Sequence, residues 1–431
     1  MCCRPRVRAQ DNILHYMVND EAYGTIYQVQ TMMQMSRTEE KLPELIDQVR
    51  QIAEDSQTPP WGDLWERETP TTQNVSMFAF PNPIHGTGKA PFVFCPDANF
   101  YARLLGYNLR EVYTDALAWI CFNLEQMVWN HEHLHHDGSV SKTILINQLG
   151  FFAPSLFGMM PTYADDAVPW IKGEVITDRL SFARLKPPDF YTSGLSPLVH
   201  RMYAEARGLL PDDFQVEFTT WLSGPFSLIF HLRGPSNLAM DMIDDPPFVH
   251  EMMAFATRCM EDWWSERARF LGRDSLEPLI MGDDEVGVPL LSPAFYEAFV
   301  LPYETELSNY FGGIDYWHSC SNVTKLLPLI ARIPHLRMMD AGPWTALEPA
   351  VELFGKRPGS SLMKRLHPVS EVLMASEEQM RARLLQIKAT CSEIPYMLFF
   401  DGLNVLDSLE YSVQQVLLLD RVCHGIFHSD G

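Results

Sequence analysis

Short apolar runs alternate with longer amphipathic stretches from about residue 90 to the end of the chain. Apolar runs that end in polar residues or glycine are typical of the strands of parallel β/α units. Six such runs are clear, at residues 214–222, 276–281, 314–320, 336–340, 361–366 and 396–401. Two less distinct runs, at residues 92–95 and 143–149, bring the number of predicted strands to eight.

Serine residues mark the starts of two of the intervening helices. Ser292 precedes Pro293 and an amphipathic stretch, and Ser376 precedes Glu377 and Glu378. Serine caps helix N-termini, and acidic residues suit the positive end of the helix dipole. Successive β/α units form either a closed barrel or an open doubly wound sheet. Because the sequence has no strand-borne G-x-G-x-x-G motif, we favour an α/β fold of the (β/α)8 TIM-barrel type.

The first 85 residues have a different pattern. Helical periodicity is visible over residues 21–36 and 39–56, and a link that contains proline and tryptophan follows at residues 58–72. We therefore predict an N-terminal, mostly helical or irregular extension over residues 1–85 and the barrel over residues 86–431.

Charge and cysteine content narrow the class of protein. Lysine and arginine number 33 and aspartate and glutamate 55, so the net charge of −22 disfavours nucleic acid and anionic membranes as partners. Eight scattered cysteines, without a C-x-x-C pair, favour a reducing compartment. No apolar stretch reaches the roughly 18 to 20 residues of a membrane span, and no signal-peptide pattern is present. We expect a cytoplasmic protein.

Acidic side chains concentrate where the predicted strands end. Asp283, Asp284 and Glu285 follow one strand, and Asp340 and Asp401 end two others. In β/α barrels the chemistry takes place at this end of the strands, although a single aspartate there is as often a helix cap. We predict that Asp283, Asp284, Glu285 and Asp340 are the catalytic candidates, which orient the substrate or complete a metal site.

The sequence His318-Ser319-Cys320 gives a specific metal-site candidate. Residues two apart on a strand point to the same side, so imidazole and thiolate can face one ion. Both groups are ligands that zinc prefers, and two protein ligands leave positions for further ligands and for a substrate. A buried thiol beside a core histidine is the commoner origin of such a tripeptide, but its place at a strand end favours the metal site.

Residues 131–136 contain a competing metal motif. His131, Glu132 and His135 satisfy H-E-x-x-H, which requires a helix that continues through both histidines. Asp137-Gly138 is typical of a helix C-terminus, where histidines suit the helix dipole. We therefore favour a helix end over a zinc-protease site.

These motifs together resemble the uroporphyrinogen decarboxylase superfamily, which consists of eight-stranded β/α barrels and includes cobalamin-linked methyltransferases. Residues 210–430 resemble the family in order and spacing, and residues 90–210 do so more loosely. The resemblance is carried by LSGP at 222–225, the acids at 283–285, WHSCSNVTKLLPLI at 317–330, MMDAGPW at 338–344, LHPVSEVL at 366–373 and LFFDGLN at 398–404.

The H-x-C motif distinguishes the branches of this superfamily. The resemblance implies that His318 and Cys320 bind zinc, as in the methyltransferases, where a later cysteine completes the site and a methyl-corrinoid supplies the methyl group. Here the last strand ends in Asp401 instead, so we expect this carboxylate to be the further ligand. The chain lacks the R-Q-A-G-R segment of the true decarboxylase. It also lacks the D-x-H-x-x-G corrinoid motif, so any corrinoid (cobalamin) would be carried on a partner protein.

The resulting hypothesis is a zinc-dependent methyltransferase that activates a small-molecule substrate, a thiol or a related acceptor. Two alternatives remain open: a metal-free decarboxylase or lyase on the same barrel, and a non-catalytic binding subunit. The sequence does not fix the oligomeric state, and a homodimer is compatible with it.

The helix stop at Asp137-Gly138 yields a testable prediction. Replacing both His131 and His135 by alanine should leave the bound zinc unchanged, because this segment lacks the continuous helix that a zinc-protease site needs. Metal analysis of the purified double variant measures this. Loss of half or more of the zinc would contradict the assignment.

Overall fold

The computed structural model describes residues 39–54, 90–135, 137–138, 140–355 and 357–428. The predicted helix at 21–36 and the link at 58–72 lie outside the described residues. The predicted helix at 39–56 is present over residues 39–54.

Eight strands form at the positions of the eight apolar runs. β1 and β8 have the predicted bounds, whereas β2 and β3 are shortened to three residues. The strands are β1 (Phe92–Cys95), β2 (Thr143–Leu145), β3 (Gln215–Glu217), β4 (Leu279–Gly282), β5 (Ile314–His318), β6 (Leu336–Ala341), β7 (Ser361–Arg365) and β8 (Tyr396–Asp401).

The described residues form sixteen α-helices between and around these strands. None of them is both long and apolar enough to cross a membrane. They are α1 (39–54), α2 (Ala98–Leu105), α3 (Leu109–Val112), α4 (Ala116–His133), α5 (Phe152–Ser155), α6 (Arg179–Arg184), α7 (Ser196–Leu209), α8 (Pro225–Arg233), α9 (Pro235–Asp244), α10 (Pro246–Phe270), α11 (Pro293–Phe299), α12 (Leu301–Phe311), α13 (Leu327–Ile330), α14 (Leu347–Ala350), α15 (Glu377–Thr390) and α16 (Leu409–Phe427).

Serine side chains begin α11 and α15, as predicted. Ser292 Oγ accepts a hydrogen bond from the Phe295 N–H, and Ser376 forms a reciprocal capping box with Gln379. The amphipathic stretch after Ser292 is divided into α11 and α12, because Pro302 at the start of α12 cannot donate a backbone hydrogen bond to the preceding turn.

The strands are parallel and form two connected sheets. Six of them pair in the order β1-β8-β7-β6-β5-β4, and β2 pairs with β3. The segment after β3 continues onto β4, since the Gly224 N–H donates to the Gly282 carbonyl and the Gly282 N–H donates to the Leu222 carbonyl, each at 2.8 Å. Among the described residues no ladder joins β1 to β2, so the closed eight-stranded barrel stays a prediction.

Alternating strand residues divide the core into two clusters. The helix-facing cluster is the larger, and it includes four buried residues of α1: Leu42, Leu45, Ile46 and Val49. Salt bridges from Lys41 to Glu125 and from Arg50 to Asp213 flank this helix. The inner cluster lies on the opposite face of the sheet and contains Val93, Ile280, Tyr316, Met338, Met363, Met397 and Phe399. This division is the one expected of a β/α sheet whose inner face surrounds an axis.

Gly224 provides a test of how closely α8 packs against β4. A Cβ added at Gly224 would lie 2.4 Å from Cγ of the buried Asp283, whereas a Cβ at Gly208 in α7 would meet nothing within 4 Å. Gly224→Ala should therefore destabilise the protein by about 1 to 3 kcal/mol. Gly208→Ala should stabilise it by about 0.5 to 1 kcal/mol. Urea unfolding measures both, and equal effects of the two changes would contradict the close packing.

Candidate metal centre

A cavity of about 210 Å³ opens at the C-terminal ends of β4, β5, β7 and β8. One wall is apolar and is formed by Leu222, Ile280 and Met281, while the other carries ionisable side chains. The polar lining residues are Ser223, Asp284, Tyr316, His318, Cys320, Arg365 and Asp401. The strand ends therefore surround a polar site, as the pattern of acids and imidazoles in the sequence predicts.

Three potential metal ligands face this cavity. His318 Nε2 lies 3.1 Å from Cys320 Sγ and 3.2 Å from Asp284 Oδ1, and Cys320 Sγ lies 3.6 Å from the same carboxylate oxygen. Among the described residues, these three form the one group whose possible ligand atoms all lie within 4.8 Å of one another. Cys320 is exposed and the Asp284 side chain is 48% exposed, so an ion and a substrate can reach both.

His318 is held from behind by a buried carboxylate. Its Nδ1 lies 2.7 Å from Asp340 Oδ2, and its side chain is only 9% exposed. When Nδ1–H donates to Asp340, Nε2 keeps its lone pair and points toward Asp284 and Cys320. A carboxylate on the second ring nitrogen is the usual support of a metal-binding histidine.

Arg365 joins the buried carboxylate to a second one. Its Nε lies 2.7 Å from Asp340 Oδ2, its Nη1 donates to Asp401 Oδ2, and its Nη2 donates to the Tyr316 hydroxyl at 2.9 Å. The Tyr316 hydroxyl in turn donates to Asp340 at 2.6 Å. Arg365 therefore places one positive charge between the buried Asp340 and Asp401, which lines the cavity.

These contacts set the ionisation of the site. Burial alone would raise the pKa of Asp340, but Arg365 and His318 outweigh it and hold this pKa below its ordinary value. Burial and Arg365 lower the pKa of His318, yet Asp340 and Asp284 outweigh them and raise it well above its ordinary range. Burial raises the pKa of Cys320, and His318 opposes that shift. Without a metal, the site thus contains ionised carboxylates close to a protonated imidazole and a thiol, and an ion that binds Nε2 would displace its proton.

The comparison with known families agrees with the motifs. The family model for uroporphyrinogen decarboxylase (URO-D) matches residues 116–398, well over half of the chain. The chain belongs to the uroporphyrinogen decarboxylase family. This confirms the superfamily that the sequence motifs indicate. No curated protein matches the chain.

Twenty-four chains of solved structures resemble this uroporphyrinogen decarboxylase family member. Among them is a methyltransferase from Methanosarcina mazei, with a TM-score of 0.57 and 14% sequence identity. The match covers 77% of this chain and 94% of the methyltransferase chain. At this identity the likeness shows a shared fold.

The structure separates the acids that the sequence groups together. Asp284 faces the cavity, whereas the fully buried Asp283 points away and accepts a hydrogen bond from the Ser227 N–H in the first turn of α8. Glu285 lies 3.0 Å from Nε2 of His231 on α8. Asp340 contacts His318 rather than the cavity. Of these four catalytic candidates, Asp284 is the one that this family member places beside His318 and Cys320.

Asp401 also lines the cavity, but the structure does not bring it into the group of three. Its carboxylate pairs with Arg365, and its side chain is 26% exposed. The geometry therefore favours Asp284 over Asp401 as the third ligand. The physical reason is strand order, because β4 is the neighbour of β5, whereas β6 and β7 separate β8 from β5.

Sequence reasoning missed Arg365 and Tyr316. Both lie within predicted strands, but neither is an acid, an imidazole or a thiol, which are the groups that indicated the site. The available signal was the pair Lys364-Arg365 near the end of an otherwise apolar run, since two adjacent cations in a buried strand need buried partners. Lys364 points the other way and donates to the carbonyls of Ala341 and Gly342.

The H-E-x-x-H segment lies apart from this cavity. Helix α4 ends at His133, with Leu134 as its C-cap, so the helix does not continue through both histidines, although it ends four residues before the predicted stop at Asp137-Gly138. His135 lies beyond the helix, and its backbone N–H and Nδ1 both contact Asp420 of α16 at 2.8 Å.

Removing Arg365 should be costly. Arg365→Met would leave Asp340 and Asp401 without their cation, so we expect a loss of about 3 to 5 kcal/mol of unfolding free energy. The control is Arg332→Met, which breaks the exposed pair with Glu297 and should cost less than about 1 kcal/mol. Denaturant unfolding measures both. A small, equal effect of the two substitutions would show that Arg365 carries no such role.

Proposed function

We propose that this protein is a zinc-dependent methyltransferase that activates a small acceptor molecule in the cavity. The observation that most supports this proposal is the close group of Asp284, His318 and Cys320. The contact of Asp340 with the other ring nitrogen of His318 supports it further. The group supplies one oxygen, one nitrogen and one sulfur atom, a mixed donor set that suits zinc.

Three protein ligands leave one position open for the acceptor, which is typical of catalytic rather than structural zinc sites. Zinc bound there would lower the pKa of an acceptor thiol or hydroxyl and favour its ionised form. Other residues of this chain would favour that ionisation. Asp340 fixes the orientation of His318, Arg365 keeps Asp340 ionised, and Leu222 and Ile280 exclude water from one side of the cavity.

The size of the cavity limits the substrate. About 210 Å³ is smaller than the roughly 300 to 1,000 Å³ of sites for drug-sized ligands. A tetrapyrrole with many carboxylates is far larger than that. This observation supports a small acceptor and speaks against the decarboxylase alternative.

Two findings support methyl transfer. The solved structure from Methanosarcina mazei that shares this fold is a methyltransferase, and the H-x-C motif resembles that branch. We propose that a corrinoid on a partner protein supplies the methyl group. The acceptor held at Asp284, His318 and Cys320 would lose its proton to solvent and form a bond to the methyl carbon, and the corrinoid would be the leaving group that keeps the bonding electron pair.

We infer likewise that the sheet closes into the (β/α)8 barrel expected from the sequence. The order β2-β3-β4-β5-β6-β7-β8-β1 leaves β1 and β2 as the two remaining edges. Closure of a parallel sheet through these edges would bring all eight strand ends to one mouth.

The metal site is tested by zinc content. The wild-type protein, purified without a histidine tag, should contain about one zinc per chain. Cys320→Ser and Asp284→Asn should each lower zinc affinity by about 10- to 100-fold or more, because each removes a ligand. The matched controls are Cys95→Ser and Asp401→Asn, which alter a thiol and a carboxylate near the cavity but outside the group of three, and both should retain the metal.

The relative losses of zinc affinity distinguish a ligand set that includes Asp284 from one that includes Asp401. A larger loss in Asp401→Asn than in Asp284→Asn would support the ligand expected from the sequence, and full zinc content in Cys320→Ser would overturn the site.

Methyl transfer itself is tested by adding methylcobalamin and a small thiol to the zinc-loaded protein. The expected result is zinc-dependent loss of methylcobalamin absorbance with formation of the methylated thiol, and an equal rate of methylation with the zinc-free protein would contradict the zinc-dependent assignment.

A further inference from the structure

The charges around the cavity do not balance. Asp284 and a Cys320 thiolate would together neutralise a divalent ion. Asp340 and Asp401 add two further negative charges, and Arg365 supplies one positive charge. The cavity therefore keeps a net negative charge even with the ion in place.

The one permanently cationic side chain among the described residues that line the cavity is already engaged. Arg365 uses Nε for Asp340, Nη1 for Asp401 and Nη2 for Tyr316. To bind an anionic substrate, it would have to release one of these partners inside the cavity, which would leave a carboxylate without a counter-ion. The polar wall thus offers an anion no site of its own.

A second carboxylate lies near the end of β8, which carries Asp401. Asp97 follows β1 two residues after Cys95, which is paired in register with Asp401 on β8. Asp97 is the N-cap residue of α2, yet its side chain does not cap that helix, and among the described residues its carboxylate accepts a hydrogen bond from Asn404 at 3.4 Å. Burial, followed by the charge of Asp401, raises the pKa of Asp97 to about 6. Two carboxylates that repel each other in a partly buried place are stabilised by a cation between them.

We propose that this site takes a small, positively charged substrate, whose ammonium group binds at Asp401 with Asp97 beside it while its acceptor atom lies at Asp284, His318 and Cys320. The inference rests on the proposed metal-dependent function and adds the substrate class to it. An anion of the same size is disfavoured, because the end of the substrate that lies away from the metal would approach Asp401 and Asp97, and the guanidinium of Arg365 is already engaged.

Three thiols of equal chain length test the charge selection: 3-aminopropane-1-thiol, 3-mercaptopropan-1-ol and 3-mercaptopropanoate. Protein loaded with cobalt(II) in place of zinc reports thiol binding through its thiolate-to-cobalt absorption band. The amine should bind at least about 10-fold more tightly than the carboxylate, with the alcohol between them. This comparison uses the wild-type protein and does not depend on the folding of any variant.

Two variants test whether Asp401 is responsible for the selection by charge. Asp401→Asn should weaken binding of the amine about 10-fold and leave binding of the alcohol unchanged. The matched control is Asp315→Asn, because Asp315 on β5 pairs with Arg337 on β6 at 3.0 Å, as Asp401 on β8 pairs with Arg365 on β7, but outside the cavity. This control should alter the affinity for none of the three thiols.

The possible failures are distinct. A protein that takes up cobalt but binds the carboxylate as tightly as the amine, or does not bind the amine, overturns the charge selection alone. An equal loss of amine and alcohol binding in Asp401→Asn does the same. A protein that takes up no cobalt overturns the proposed function, and the inference built on it falls as well.

Discussion

Asp340 is fully buried at the end of β6, and its side chain contacts groups from both neighbouring strands. His318 and Tyr316 approach it from β5, and Arg365 approaches it from β7. A carboxylate in such a place is stable only while its partners remain, since a buried charge without compensation costs several kcal/mol. The orientation of the imidazole, the position of the guanidinium and, through Arg365, the position of Asp401 all follow from this one contact set.

The opposite face of β5, the strand that carries His318, also contacts a buried carboxylate. Trp317 points away from the cavity, and its indole N–H donates to the buried Glu304 of α12 at 2.7 Å. Tyr296 of α11 donates its hydroxyl to the same carboxylate. Burial raises the pKa of Glu304 to about 7, and the hydrogen bonds from Tyr296 and Trp317 oppose that rise. The strand that carries His318 is therefore fixed by polar contacts on both faces.

The excess of negative charge in the chain has a local counterpart at the cavity. Asp284 and Cys320 suit a cation as ligands, Asp401 lines the same cavity, and Asp97 lies near the end of the strand that carries Asp401. The single arginine at the floor is neutralised by its own partners. The cavity thus differs from a site for a polyanion in both size and sign of charge, and the metal would be its main source of positive potential.

The sequence by itself determined what depends on neighbours along the chain. The runs of apolar residues located eight strands, because strands of a parallel sheet are buried on both faces. The H-x-C motif indicated that His318 and Cys320 lie together, and they do, although β5 ends at His318 and Cys320 lies in the segment that follows rather than on the same strand face. Which acid joins them was decided only by the tertiary structure. Asp284 lies beside β5 because β4 pairs with that strand, whereas Asp401 meets Arg365 on β7. The partners of Arg365 come from three strands and depend on distances through space, which the order of residues along the chain does not encode.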